Sequence, residues 1–265
     1  MKRIAFRVAL GLFTAIFSVF VTGCALTLNL HANRFQSPEA EGQVGSGHVN
    51  FAGIHGANEL VIVPNTTATP PSTQSPRFAR MAANYTHTGA VGLAPRLDLE
   101  LRNPLSDTGN LGLKYQLIGD PWAIAKKGNF SLSVAGGLYY ANPSNRDEDL
   151  ITHRAAKSDR TLWTYDAAVI LGYRAGDNLL IYGGSAITQV IYEGSIDQTL
   201  PPSTSVSHYT FGGRAQQLGF HVGVRWEIGR GHILIEEAYA IAKATQVQDT
   251  RTDRAYTAIA GGVSW

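Results

Sequence analysis

The sequence is poor in charge, in cysteine and in long apolar runs, and each shortage excludes a class of protein. Charged residues make up 16% of the chain, below the roughly 25% of a typical soluble domain. No stretch approaches the ~18 consecutive apolar residues of a transmembrane helix, so a bundle of membrane helices is excluded. The single cysteine, Cys24, cannot form an intramolecular disulfide. Lysine and arginine are not clustered, so we expect no nucleic-acid partner, and no cofactor.

The amino-terminal segment has the layout of a targeting sequence. Lys2, Arg3 and Arg7 precede a mainly apolar run from residue 8 to 20, which the small residue Gly23 follows. This order is typical of a secretory signal peptide, and the run is too short to span a bilayer comfortably. Residues 1–23 are therefore predicted to be a signal peptide.

The end of this segment carries a more specific motif. Val21-Thr22-Gly23-Cys24 resembles the lipobox of bacterial lipoproteins. The resemblance implies cleavage before Cys24 and attachment of a diacylglyceryl group to its thiol. The alternative is an ordinary signal peptide in which Cys24 falls near the cut. Residues 24–46 are interpreted as a lipidated amino terminus and tether, because the composition of 37–42 is typical of a linker.

Residues 217–228 alternate between two opposite faces. One face is apolar and the other is polar, as in a strand, whose side chains alternate with period two. The same alternation recurs along the chain and predicts strands near 58–64, 79–87, 93–102, 111–118, 129–140, 162–174, 179–192, 208–228, 232–245 and 255–265. Two further strands are left open: one where Leu26, Leu28 and Leu30 alternate with Thr27, Asn29 and His31, and one at 47–54 that would pair with 58–64. Counting both gives twelve strands.

This pattern resembles bacterial outer-membrane β-barrels. Tight turns at 175–178 and 229–231 alternate with longer polar connections, as at the two rims of such barrels. Trp265 ends the last strand, which resembles the aromatic signal that their assembly machinery reads. The resemblance implies an all-β, antiparallel up-and-down transmembrane barrel over 47–265, with about ten strands and eight to twelve possible. It also implies the outer membrane of a Gram-negative cell, with the lipid bilayer and the assembly machinery as partners.

The polar faces are predicted to line the lumen, with the apolar faces toward lipid. A small barrel is filled by its own side chains, so we expect an ion-paired plug with at most a narrow water path. Glu236 and Glu237 are adjacent, so a β-bulge is predicted there. The predicted lumen charges are Arg96, Asp98, Glu100, Arg102, Lys114, Asp166, Arg174, His221, Arg225, Glu227 and Glu236.

These features predict a structural, surface-interaction or narrow-channel protein, not an enzyme. The alternatives are a small-solute channel, a lipid-modifying enzyme and a soluble β-sandwich tethered by its lipid. An enzyme would require a nucleophile with an oriented base; the candidates are Ser205, Ser207, His208, Asp147, Glu148, Asp149 and His153. No metal site is expected, because the spacing of three histidines fits no compact ligand motif; they are His31, His48 and His55.

Overall fold

The computed structural model describes residues 26–265, except 31, 57, 63, 66–71, 74–76, 81–83, 103–108, 143, 150–153, 200–205 and 246–248. Cys24 and the signal segment lie outside the described residues. The described strands are, in chain order, β1 Leu26–Leu30, β2 Gly47–His55, β3 Asn58–Ile62, β4 Pro64–Asn65, β5 Ser72–Thr73, β6 Arg77–Arg80, β7 Asn84–Ala94, β8 Leu97–Arg102, β9 Asn110–Ile118, β10 Phe130–Ala141, β11 Ser144–Asp149, β12 Arg154–Gly176, β13 Leu179–Thr199, β14 Val206–Ile228, β15 Gly231–Thr245 and β16 Asp249–Ser264.

Ten of these strands close into one antiparallel ring. In ring order they are β2, β7, β8, β9, β10, β12, β13, β14, β15 and β16, and β16 pairs back onto β2. Strand β11 continues along β12 beyond β10. The predicted up-and-down fold is confirmed, whereas the sandwich alternative is wrong, because two face-packed sheets would not give a closed cycle of pairing. No helix among the described residues is long and apolar enough to span a membrane.

The membership of the ring differs from the prediction at its first strand. The ring begins with β2, whereas the predicted strand 58–64 corresponds to β3, which joins β1 and β6 in a separate three-stranded sheet. Alternation alone does not show to which sheet a strand belongs. The predicted strand 93–102 is also divided, because residues 95–96 form a turn between β7 and β8. Pro95 has no backbone N–H for the ladder, which favours a turn there.

The two ends of the ring differ. Short connections at 95–96, 177–178 and 229–230 lie at one end, together with Trp265; we call this end the turn rim and the opposite end the loop rim. The Trp265 backbone N–H donates to the Gly47 carbonyl at 2.9 Å, and the Trp265 carbonyl accepts from the Gly47 N–H at 3.1 Å. The last residue of the chain is thus paired with the start of the first ring strand, which fastens the closure at this rim.

The strands present opposite faces to the lumen and to the outside. On β14, Val222 is 57% exposed and Trp226 is 52% exposed, whereas His221 is 5% exposed and Arg225 is 3% exposed. The same exposure of apolar side chains continues on β12 and β10. We call these outward residues the apolar band; they include Leu218, Phe220, Val222, Val224, Trp226 and Ile228 of β14, Trp163, Tyr165, Val169, Leu171 and Tyr173 of β12, and Phe130, Val134, Leu138 and Tyr140 of β10.

The predicted β-bulge at Glu236 is wrong. The register of β15 runs without interruption through this pair, against both β14 and β16. Glu236 therefore points into the lumen, where it is fully buried, and Glu237 points outward and is exposed. The backbone does not redirect either carboxylate, so each one is accommodated by the residues that surround it.

Inside the ring, the half near the loop rim holds an apolar cluster. Strands β1 and β3 contribute Leu28, Leu30, Leu60 and Ile62, which are at most 2% exposed. They pack on inward side chains of the ring, namely Leu162, Val190, Tyr192, Ile196, Tyr209, Phe211, Ala215 and Ala244. The small sheet thus supplies the core that the ring strands alone would lack at this end.

Candidate functional site

The most distinctive site is the half of the lumen near the turn rim, which the chain fills with its own backbone. Residues 32–41 follow β1, and each of them is buried; we call them the lumen segment. The segment leads to a turn at 43–45, and β2 begins at Gly47. Residues 24–46 were expected to form a tether, but these ten lie inside the ring instead.

Glu236 of β15 binds the backbone of the lumen segment. Its two carboxylate oxygens accept hydrogen bonds from the backbone N–H groups of Arg34 at 2.7 Å and Phe35 at 2.9 Å. The Tyr182 hydroxyl donates a third bond at 3.0 Å. An irregular buried backbone has no ladder partners, so its N–H groups must find side-chain acceptors. Glu236 supplies two of them from one side chain.

Lys114 of β9 performs the complementary role for the carbonyls. Its Nζ donates to the Ser37 carbonyl at 2.9 Å and to the Glu39 carbonyl at 3.0 Å. The same Nζ lies 3.1 Å from an Asp98 carboxylate oxygen and 3.5 Å from a Glu100 carboxylate oxygen. Lys114 is 0% exposed. A buried cation is tolerated only when it is paired and hydrogen-bonded, and here strand β8 supplies both carboxylates.

Arg174 of β12 holds a carboxylate of the segment at the turn rim. Its Nε lies 2.8 Å from Glu39 Oε1 and its Nη2 lies 2.7 Å from Glu39 Oε2, which is a bidentate pair. Glu227 of β14 lies 3.1 Å from the same guanidinium. Asn129 donates to Glu39 at 2.9 Å. The Glu39 carboxylate is therefore fixed by two different parts of the ring.

Arg34 carries the one guanidinium of the lumen segment. Its Nη1 lies 3.0 Å from Asp166 Oδ2, and Arg102 of β8 contacts the same carboxylate. Its Nε donates to Gln36 at 2.9 Å, and Gln36 in turn binds Glu100. Cations and carboxylates thus alternate across the lumen between the segment and the wall, which satisfies the requirement that buried charges be paired.

A connection at the turn rim covers the end of the lumen. Residues 119–129 join β9 to β10, and the Trp122 backbone N–H donates to the Ala40 carbonyl at 2.7 Å. The Trp122 indole N–H donates to Glu227 at 2.6 Å, and the Arg225 guanidinium lies 5.9 Å from the Trp122 ring centre. Trp122 therefore binds both the segment and the wall of the ring.

A histidine cluster completes the wall beside the last residue of the segment. His48 Nδ1 lies 2.5 Å from the Glu41 carboxylate. His232 Nε2 lies 2.5 Å from Asn50 Oδ1, and its Nδ1 lies 3.3 Å from the Ser264 hydroxyl. All five residues are at most 5% exposed. Because all five side chains are buried, this arrangement positions the segment and leaves no exposed nucleophile among these residues.

The predicted lumen charges lie inside the ring with one exception. Asp98, Glu100, Lys114, Arg174, His221, Arg225 and Glu236 are buried, while Asp166 has a side chain that is 1% exposed. Arg102 and Glu227 are partly exposed. Arg96 differs: it lies in the turn at 95–96 and donates to the Leu117 carbonyl at 3.1 Å. Its position at the rim follows from the turn that divides the predicted strand.

Among the described residues, the candidate catalytic side chains Ser207 and His208 are not brought together. Ser207 and His208 are neighbours on β14, so their side chains point to opposite faces. His208 is exposed and pairs with Asp197 at 2.6 Å. Ser205 and His153 lie outside the described residues, as do the side chains of Asp147, Glu148 and Asp149.

The expectation of no metal site was drawn from the spacing of His31, His48 and His55. His31 lies outside the described residues, His48 points into the lumen and His55 is exposed on the outer face. Within the described part of the chain, no group of three or more histidine, cysteine, aspartate or glutamate residues is placed to hold a metal.

The sequence interpretation missed the residues that join the segment to the wall. Arg34, Glu39 and Glu41 were assigned to a tether, and Trp122 to a connection. His48, Asn50 and His232 lie at inward positions of regular strands. The alternation of β2 and β15 already assigns His48, Asn50 and His232 to the lumen. They were missed because only charged side chains were considered as lumen residues.

Comparison with known proteins gives no family. No family model and no curated protein matches the chain. The solved structure of Ail, the attachment invasion locus protein of Yersinia pestis, matches with 6% identity and a TM-score of 0.32, over 84% of this chain and 100% of that chain. The ferric citrate transporter FecA matches with 10% identity and a TM-score of 0.39, over 82% of this chain and 42% of that chain. At these scores, the likenesses carry no argument about function.

Proposed function

We propose that this protein is a lipid-anchored β-barrel of a bacterial outer membrane, closed by its own lumen segment, with a structural and surface-interaction role rather than that of an open pore. The observation that carries the closed state is the burial of ten consecutive residues, 32–41, inside the ring. The side chains that bind this segment come from strands on all sides of the ring.

The outer surface supports a membrane location. The apolar band is far more apolar than a water-facing surface allows, because contiguous exposed patches of that size are rare on soluble monomers. The closed ring pairs its strand edges, which a structure in lipid requires. Trp226 and Trp265 lie toward the turn rim, while Tyr140 and Trp163 are in contact at the other edge of the band, with ring centres 4.7 Å apart. Such aromatic girdles are typical of membrane barrels.

The lumen supports a closed barrel. Open pores generally need a wider ring than ten strands, and here the space is further occupied by a threaded backbone. Arg174, Lys114 and Glu236 each bind the segment through two or more contacts. Each contact is buried, so water does not replace it at low cost. The segment is therefore held in place, and the solute-channel alternative receives no support from this geometry.

The first described residue, Leu26, lies on the side of the loop rim. Strand β1 pairs with β3, and its leucines belong to the apolar cluster in that half of the lumen. Cys24 precedes Leu26 by two residues, or about 7 Å of chain. Because short turns mark the periplasmic rim of such barrels, a lipid at Cys24 would enter the leaflet at the cell surface. Incorporation of a labelled fatty acid by the wild type, and its loss in Cys24→Ser, tests the anchor.

Strands β12 and β14 extend beyond the apolar band toward the loop rim. Outward positions of β12 beyond Trp163 carry Thr161 and Asp159, and those of β14 beyond Leu218 carry Gln216 and Arg214. This polar extension projects the barrel past the membrane on the surface side. A rigid, closed barrel that displays such an extension is suited to contacts with other surface molecules.

Two measurements test this proposal. Folded membrane barrels migrate differently on a gel before and after heating, and we expect this shift for the detergent-extracted chain; a chain that is soluble without detergent would overturn the membrane location. In planar bilayers the full chain should show no stable conductance steps. Stable steps from the full chain would overturn the closed state.

A further inference from the structure

The outward surface of β15, β16 and β2 carries three polar residues side by side. Glu237 lies opposite Thr257, and Thr257 lies opposite His55, in the registers of the two strand pairs. All three residues are exposed, and the Thr257 hydroxyl donates to the Glu237 carboxylate at 3.0 Å. We call Glu237, Thr257 and His55 the polar row.

The polar row crosses the apolar band. The register partner of Glu237 on β14 is Val222, which is 57% exposed within the band. Along β15, the outward neighbours of Glu237 are Ile235 and Tyr239, both exposed. A carboxylate at such a position in lipid is costly, and it accepts about four hydrogen bonds when fully satisfied. A single threonine hydroxyl does not meet that requirement.

The outer surface beside the polar row lacks projecting side chains at two positions. Gly53 and Gly261 occupy outward positions on β2 and β16, and a Cβ added to either would meet nothing within 4 Å. The ring itself therefore does not require glycine at these two positions. The adjacent inward Gly262 is different, since a Cβ there would collide with Asn50 and His232. Small outward residues let a second membrane surface approach closely.

We propose that a second copy of this chain covers this face, with a two-fold axis along the membrane normal that passes beside Thr257. Such an axis sets the row of one copy against the reversed row of the other. The strands of a membrane barrel are tilted, so the two rows cross where the two Thr257 side chains meet. Glu237 of each copy then lies on the same side of this crossing as His55 of the other copy, offset in depth by the tilt. A two-fold interface must be self-complementary, and the order of acceptor, hydroxyl and imidazole along this row satisfies that condition.

This inference rests on the membrane location proposed above. In the dimer, His55 of the second copy supplies the N–H donor that each Glu237 carboxylate needs. Hydrogen bonds to a carboxylate are among the strong ones. Water within the band does not offer the same partner, because the neighbouring outward side chains are Ile235, Ile259 and Tyr239.

Cysteine cross-linking in native membranes tests the axis. Since Thr257 faces itself across the axis, the single variant Thr257→Cys should form a covalent homodimer with a short bismaleimide. The wild type, which carries only Cys24, controls for linkage through that residue. Val134→Cys on β10, across the ring, is the matched outward control and should remain monomeric. Equal linkage at both positions, linkage of Thr257→Cys to a product of another mass, or no linkage would overturn the proposal.

A charge exchange tests the pairing itself. In detergent, sedimentation equilibrium should show dimer dissociation constants raised about tenfold or more by Glu237→Ala or by His55→Ala. The exchanged chain, Glu237→His with His55→Glu, should restore the dimer. Unchanged dimers in both single variants would overturn the role of the row. The heat-dependent gel shift shows whether each variant is a folded barrel, so failure of the dimer is distinguished from failure of the membrane fold.

Discussion

The two halves of the lumen are both buried but are filled in different ways. Near the loop rim, Leu60 and Ile62 of the small sheet pack on Leu162 and other apolar side chains of the ring. Near the turn rim, an irregular backbone lies among carboxylates and cations, while its Ala32 and Phe35 pack in a second apolar cluster of the ring. Leu162 in the first half and Lys114 in the second are both 0% exposed, so the difference lies in the chemistry of the contacts and not in the degree of burial.

The two halves therefore differ in what they require of a side chain: the apolar half requires volume, and the polar half requires a partner at a defined place. Apolar packing depends mainly on volume and accepts substitutions that conserve it. A buried polar group instead needs a partner at a defined place, and losing that partner costs more than the bond itself contributes. The apolar half therefore fills the barrel, whereas the polar half fixes which residues of the lumen segment lie against which strand.

The largest expected effect comes from removing one charge in the polar half. Lys114→Met conserves most of the volume but leaves Asp98 and Glu100 buried without their cation. We expect a loss of about 3–5 kcal/mol in the free energy of unfolding, measured by urea titration of the barrel in micelles with tryptophan fluorescence. Lys126→Met, an exposed position in the 119–129 connection, is the control. Equal, small losses in both variants would refute the distinction between the halves.

A smaller effect is expected from Glu236→Gln, which keeps the shape of the side chain. The amide retains one acceptor for the N–H groups of Arg34 and Phe35 but loses the other. The expected loss is about 1–3 kcal/mol in the same titration. The variant should still fold, since the rest of the segment is held by other strands. An increase in the free energy of unfolding would show that the Glu236 carboxylate destabilises the barrel, and would contradict its role as an anchor of the segment.

The smallest effect is expected in the apolar half, from Leu162→Met. This substitution conserves volume among apolar neighbours, so the loss should stay below about 1.5 kcal/mol. The comparison with Lys114→Met is direct, because both variants place methionine at a fully buried position. A loss at Leu162 as large as that at Lys114 would show that the apolar half also depends on exact fit.

The sequence predicts the ring well because strand alternation is a local property. The faces of 217–228 and the lumen positions of Asp98, Lys114 and Arg174 follow from period-two order alone. The first ring strand and the turn at Arg96 were misplaced, because alternation does not report pairing partners or breaks within a polar-apolar run.

The burial of the lumen segment could not be predicted from strand alternation, for a physical reason. Residues 32–41 have no period, and their Ser37-Pro38-Glu39 composition is that of a solvated linker. Their burial depends on acceptors and donors from strands far away in sequence, such as Lys114 and Glu236. Glu236 itself was expected to need a bulge, whereas its true partner is the backbone of Arg34 and Phe35.

The position of the lumen segment can be measured directly with one disulfide. A Cβ at Gly219 would lie 3.5 Å from the Cβ of Ala32, within the spacing of natural disulfides. The chain with Ala32→Cys and Gly219→Cys should therefore form this bond on oxidation, seen as two protected thiols in maleimide mass labelling of the unfolded, unreduced protein. Ala32→Cys with the outward Gly261→Cys should keep both thiols reactive. Free thiols in the first pair, or protection in the second, would contradict the threading of residues 32–41 through the ring.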